Sequence, residues 1–336
     1  MIYPKFIKTT NTIGVTAPSD GTSNEFDLKK LKNSKRKLED EGFKLRITDN
    51  CYTSSLGRSS SSVIRARELE NLFLDNDVAS IIAYSGGDFL MEMLSVLRYD
   101  IIWNNPKWIQ GYSDITGLLF TITTNLGIAT IYGNNFKAFS MQTWHESLVN
   151  NIEILKGNVI KQNSFDKYQK NRLDNDSGYE VYNLDGLVKW KSIDNNNCNF
   201  SGRLIGGCLD CILNIIGTKF DKTKNFLEKY RDDGFIWYFD IFDMSYEDIT
   251  RAIWQLKEAG WFKYIKGVVF GRLTIDKSFY DISFNDVLKD AFEEFNVPIL
   301  YDADLGHIPP RLTLINGALA QIDFFDNKAS VKMILK

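Results

Sequence analysis

The sequence predicts an α/β protein of two units, a helix-covered parallel sheet followed by a second set of strands and helices. Three observations carry this expectation. Short apolar runs alternate with longer helical periodicities through the first half. A chain of 336 residues holds two domains at roughly 150 residues each. The polar stretch 158–186 has no sustained period and reads as a linker between units 1–157 and 187–336.

Each element has a local reason. Residues 12–17 (TIGVTA) read as a strand, and Pro18, Ser19, Asp20 and Gly21 as the turn after it. Residues 24–41 place Phe26, Leu31 and Leu38 among charges, with Gly42 set to end a helix. After a strand at 44–48, Val63, Ala66, Leu69, Leu72 and Phe73 recur at helical spacing over 63–74. The strand 78–84 is broken by Ser85, Gly86 and Gly87, and 89–97 reads as a helix. Strands at 108–111 and 129–132 flank a helical stretch at 115–125. In the second unit, 200–204 leads into Gly206 and Gly207, which are expected to open a helix over 208–216. An aromatic strand at 235–239, a helix at 246–259 closed by Gly260, and strands at 267–270 and 298–301 follow. A loop then carries His307, Pro309 and Pro310, and the end reads as β hairpins.

Composition narrows the function. Hydrophobic residues at 44% and charged residues at 25% are ordinary for a globular chain. Forty basic against 43 acidic side chains leave a net charge of −3, with no general attraction for nucleic acid or anionic lipid. No run of about 18 apolar residues and no apolar leader core occur, so a cytoplasmic protein is expected. Of the four cysteines only Cys208 and Cys211 have a ligand-like spacing, and they lie in the apolar run CLDCILNII, where Cys packs as a small hydrophobe. No metal and no cofactor are implied.

In α/β sheets reactive groups collect beyond the carboxyl ends of strands. Ser19 with Asp20, Ser85 to Asp88, Tyr112 to Asp114, Asp240 and His307 all follow strand runs. Ser113 sits in WIQGYSDITGLLF, a strand-turn-helix setting that lifts a hydroxyl clear of a sheet; the alternative is that Ser113 or Asp114 merely caps the next helix. Gly86-Gly87 offers unobstructed backbone N–H groups, or simply a tight turn. Asp240 reads equally as a site carboxylate or a loop residue. His307 lies in a Pro-flanked loop suited to holding a base, whereas His145 reads as a solvated or capping residue. The string GGDF at 86–89 lacks one acid of the GGDEF signature of cyclic-dinucleotide synthases, and no Lys-Ser/Thr pair follows it as in a phosphate loop.

Taken in order, GVTAPSD, the Gly-Gly turn, GYSDITGLLF, IYGNNF, GRLIGGCLDCILNIIGT, an acid after an aromatic strand, and GHIPPRLTLINGA resemble the LD-carboxypeptidase family, which includes the microcin self-immunity peptidases. The resemblance spans residues 13–322. It implies a flavodoxin-like N-terminal domain, a smaller β-rich C-terminal α/β domain, a site between them, and a homodimer. It also implies metal-free amide hydrolysis by a Ser-His-Glu triad, on muropeptides ending in a D-amino acid or on microcin-like aminoacyl conjugates. Carried over, the nucleophile falls on Ser113 and the base on His307, while Gly86, Gly87 and the N–H of Asp114 fall on the oxyanion and carboxylate donors. The acid falls on Asp240, shorter than Glu by one methylene, roughly 1.5 Å. Cys208 stands where the family commonly has Asn. These two departures motivate the alternative of a noncatalytic relative that binds a muropeptide-like ligand in the same cleft.

Overall fold

In the computed structural model, which describes residues 1–158, 161–171, 177–194 and 196–336, the first strands are β1 (Thr12–Thr16), β2 (Lys44–Ile47), β3 (Val78–Ala83), β4 (Trp108–Gly111) and β5 (Thr130–Tyr132). Next come β6 (Lys161–Asn163), β7 (Lys167–Tyr168), β8 (Gly186–Leu187), β9 (Lys191–Ser192), β10 (Cys198–Cys208) and β11 (Phe235–Asp240). The last are β12 (Ile265–Gly271), β13 (Ile299–Ala303), β14 (Leu314–Asn316), β15 (Leu319–Phe325) and β16 (Lys328–Ile334).

The first sheet is ordered β2-β1-β3-β4-β5 with every pair parallel, the flavodoxin-like doubly wound order, and β14 adds antiparallel on the β5 edge. Its central strands are apolar without alternation because helices cover both faces, and Ile13, Val15, Ile81 and Ile82 are fully buried. The helix Glu25–Asp40 starts where the Asn24 side chain accepts from Asp27 N–H, and it turns Leu31 and Leu38, seven residues apart, into the core. The second sheet runs β6-β16-β15-β10-β11-β12-β13-β9, with β10 to β13 parallel and the flanking strands antiparallel.

The two units share a core. Phe120, from the helix Thr116–Thr121, stacks on Trp261 with ring centroids 5.2 Å apart, and Trp237 stacks on Trp261 at 5.8 Å. Burying one such ring stabilises by about 1.5–3 kcal/mol before packing specificity is counted, so this aromatic stack ties the two units together.

Three local expectations change in three dimensions. The Gly206-Gly207 pair does not open a helix: β10 continues through it, in parallel register with β11 as far as Cys208 opposite Asp240, and only Leu209–Ile212 is α-helical. Ladder pairing with a neighbouring strand claims residues whose local pattern reads as a helix start. The helix expected over 89–97 shortens to Met91–Leu94. The polar segment 158–186 is in part structural, since β6 forms an edge of the second sheet and Gln162, buried, bonds both the N–H and the C=O of Thr313. Part of that segment, 159–160 and 172–176, lies outside the described residues.

Candidate active site

Loops leaving the carboxyl ends of parallel strands from both sheets meet at one cleft. From the first sheet come Asp20 after β1, Gly86 and Gly87 after β3, and Ser113 after β4; from the second comes His307 beyond β13, while Ser19 and, at the end of β11, Asp240 are fully buried. The cleft has a volume of about 450 Å³ and carries both signs of charge, from Lys30, Lys137 and Arg311 and from Asp20, Asp88 and Glu180. A larger cavity of about 530 Å³ is lined by Ile308, Tyr168, Arg272 and Tyr301 but by none of the groups just named from the two sheets.

Ser113 occupies a strained turn. Its φ is +64°, a left-handed conformation that costs a non-glycine residue about 1–3 kcal/mol. Its side chain does not cap the following helix; the Oγ lies 2.9 Å from His307 Nε2. The Asp114 carboxylate instead accepts from Ser19 Oγ at 2.5 Å and from Leu90 N–H at 2.9 Å, so it ties three loops together beneath the serine. Burial pushes this carboxyl above its usual range, against the opposing pull of those two donors. Gly86 faces the hydroxyl closely, since a Cβ there would sit 3.0 Å from Ser113 Cβ and 3.1 Å from its Oγ.

His307 completes a chain of contacts. Nδ1 lies 3.0 Å from Asp240 Oδ1 and 2.9 Å from Oδ2, and Asp240 is fully buried. Burial alone would raise the Asp240 carboxyl; the His307 imidazole, the Tyr132 hydroxyl and the Arg311 guanidinium outweigh it and hold the group below the ordinary aspartate range. An ionised carboxylate only accepts, so Nδ1 carries the ring proton and Nε2 is free to accept from the Ser113 hydroxyl. The ring is boxed by Phe242, centroids 4.4 Å apart, and by the edge of Tyr112 at 5.3 Å. Arg311 pins the loop, donating from Nε to the Gly306 carbonyl at 2.6 Å and from a terminal nitrogen to Asn134 Oδ1 at 2.7 Å.

The residues expected at the site from the sequence therefore converge, while His145 caps the helix Glu146–Leu155, its Nδ1 accepting from Ser147 N–H at 3.1 Å. Cys208 is buried at the register partner of Asp240. Sequence reasoning missed Tyr132, whose hydroxyl donates to Asp240 Oδ2 at 2.6 Å, and it missed Arg311. Tyr132 ends β5, so the rule that singled out Ser113 at a strand's carboxyl end would have found it too.

Comparison with known proteins identifies the family. Residues 13–133 match the LD-carboxypeptidase N-terminal domain and residues 201–322 the LD-carboxypeptidase C-terminal domain. The chain is 29% identical over 308 residues to the microcin C7 self-immunity protein MccF of Escherichia coli, covering 87% of this chain and 84% of that one. It is 23% identical over 333 residues to the "Probable murein peptide carboxypeptidase" of Bacillus subtilis, covering 98% and 94%. Among solved structures, the MccF-like protein from Bacillus anthracis shares the fold, with a TM-score of 0.84, 23% identity, and all of both chains covered. So does MccF in complex with aspartyl sulfamoyl adenosine, with a TM-score of 0.85, 23% identity, and 100% and 99% covered. With both domains matched in order over most of its length, the chain belongs to the LD-carboxypeptidase family of serine peptidases.

Proposed function

We propose that this protein is a serine carboxypeptidase in which Ser113 attacks, His307 is the base and Asp240 the acid that orients it. One observation supports the reading above all: an unbroken line of contacts from Ser113 Oγ through His307 to a buried carboxylate, assembled from two domains. His307 Nε2 takes the hydroxyl proton as Ser113 attacks the scissile carbonyl. Asp240 stabilises the imidazolium, which then gives the proton to the leaving amine. Water, activated by the same imidazole, hydrolyses the acyl-enzyme. The N–H groups of Gly86, Gly87 and Asp114, grouped around the serine, receive the oxyanion and the substrate carboxylate.

Substrates of this reading are muropeptides ending in a D-amino acid or aminoacyl conjugates like those of the microcin relatives; a cleft holding both cations and carboxylates suits such zwitterionic ligands. The family resemblance further suggests a homodimer, testable by sedimentation. The four unpaired thiols fit a reducing cytoplasm; among the described residues no helix is long and apolar enough to cross a membrane.

Purified protein is incubated with a muropeptide and with an aminoacyl-nucleotide conjugate, and amide cleavage is followed beside Ser113→Ala and His307→Ala. Wild type should cleave one of them, with both variants slower by about 10⁴-fold or more. Equal inertness of all three with ligand still bound would leave only a binding protein.

A further inference from the structure

We propose that Tyr132 is a positioning residue of this active site, its hydroxyl holding the short Asp240 side chain in the plane that His307 needs. The inference rests on the hydrolytic reading above and assigns it a fourth residue. Tyr132 ends β5 of the first sheet and Asp240 ends β11 of the second, 108 residues later, yet the hydroxyl donates to Oδ2 at 2.6 Å.

An aspartate facing an imidazole needs such a partner. Rotation about its terminal sp³–sp² bond is broad, and Nδ1 lies almost equally near both oxygens, at 3.0 and 2.9 Å, so the imidazole alone does not decide which oxygen it bonds. A second donor on Oδ2 from another direction fixes the carboxylate plane, and Asp240 is fully buried. Tyr132 is itself immobile: it is 1% exposed, packed by Tyr238 at 5.6 Å and by Tyr112 at 6.5 Å between ring centroids. Its oxygen also accepts from Ser113 N–H at 3.5 Å, so one hydroxyl touches both the acid and the nucleophile's turn.

The surroundings are shaped for the shorter acid. Gly306, with φ of +82°, brings its backbone so near that a Cβ there would lie 1.8 Å from Asp240 Oδ1. A glutamate has no room between Tyr132 and Gly306 without a shift. The groups whose charge acts on Asp240 are His307 and Arg311, with Tyr132 as a donor and the Cys208 and Cys211 thiols from the end of β10 and the short helix after it. Tyr132→Phe removes only one of these.

The test compares full-length wild type, Tyr132→Phe, Tyr132→Phe with Asp240→Glu, and Ser113→Ala on the substrate that wild type cleaves. Tyr132→Phe should lower kcat about 10- to 100-fold, the worth of a hydrogen bond to a charged group, with KM little changed. The acid limb of kcat/KM should move to higher pH, because a carboxylate that has lost a donor favours the imidazolium more strongly. The double variant should regain part of the loss, the vacated oxygen position making room for the extra methylene. Wild-type kcat and pH profile in Tyr132→Phe overturn the proposal, and so does a loss of rate with a lower thermal midpoint and an unmoved acid limb. If wild type is as inert as Ser113→Ala, the hydrolytic reading fails on its own. A crystal structure of Tyr132→Phe then decides the role of Tyr132, with the Asp240 carboxylate turned away from His307 Nδ1 if Tyr132 holds it and unmoved if it does not.

Discussion

Asp240→Asn tests the triad most sharply, because it preserves shape and changes only which atom carries a proton. The Tyr132 hydroxyl donates to Oδ2, so the amide introduced at this position turns its oxygen to that side and its NH₂ toward His307 Nδ1. An Nδ1 that accepts from this NH₂ leaves the ring proton on Nε2, 2.9 Å from a Ser113 hydroxyl that then has no base. In a Ser-His-Asp triad the wrong tautomer costs about 10⁴-fold in kcat, or about 5 kcal/mol of barrier. The assay is kcat at saturating substrate, with circular dichroism to show that the fold is intact. A loss smaller than about tenfold in a folded variant would refute the assignment of Asp240 as the orienting acid.

Other consequences are also measurable. Gly86→Ala places a methyl 3.1 Å from Ser113 Oγ, and it should lower kcat through displacement of the hydroxyl while leaving the thermal midpoint nearly unchanged. Asp114→Ala strips the acceptor from Ser19 Oγ and Leu90 N–H, and denaturant unfolding should show a loss of roughly 1–3 kcal/mol together with reduced activity. Asp240, held below the ordinary aspartate range, contributes stability that is fully present above about pH 3.9 and is lost as pH falls through its lower folded value. The difference in thermal midpoint between wild type and Asp240→Asn should therefore be widest near neutrality and close in acid; a gap that grows on acidification would contradict the favoured anion.

Much of the first domain was legible because its signals are local. The apolar runs at β1, β3 and β4 and the glycine after residue 41 each act within a turn or two of chain. Where local pattern and long-range pairing compete, pairing prevailed: Gly206 to Cys208 joined β11 as strand, and Leu314–Asn316 crossed over to complete the first domain's sheet. Ser113 could be read from its sequence setting either as a cap or as a nucleophile, and its left-handed backbone with an imidazole against Oγ decides between the two geometries.

By itself the sequence determined the alternation of strands and helices, the strand-end placement of Ser113, Asp240 and His307, and the family to which those motifs point. Only the tertiary structure decided that these three meet, that the Asp114 carboxylate braces loops, and that Tyr132 and Arg311 hold the assembly in place. The reason is one of range. Periodicity and capping are written over neighbouring residues, whereas contacts spanning 194 and 67 residues arise only when two sheets close on a shared core.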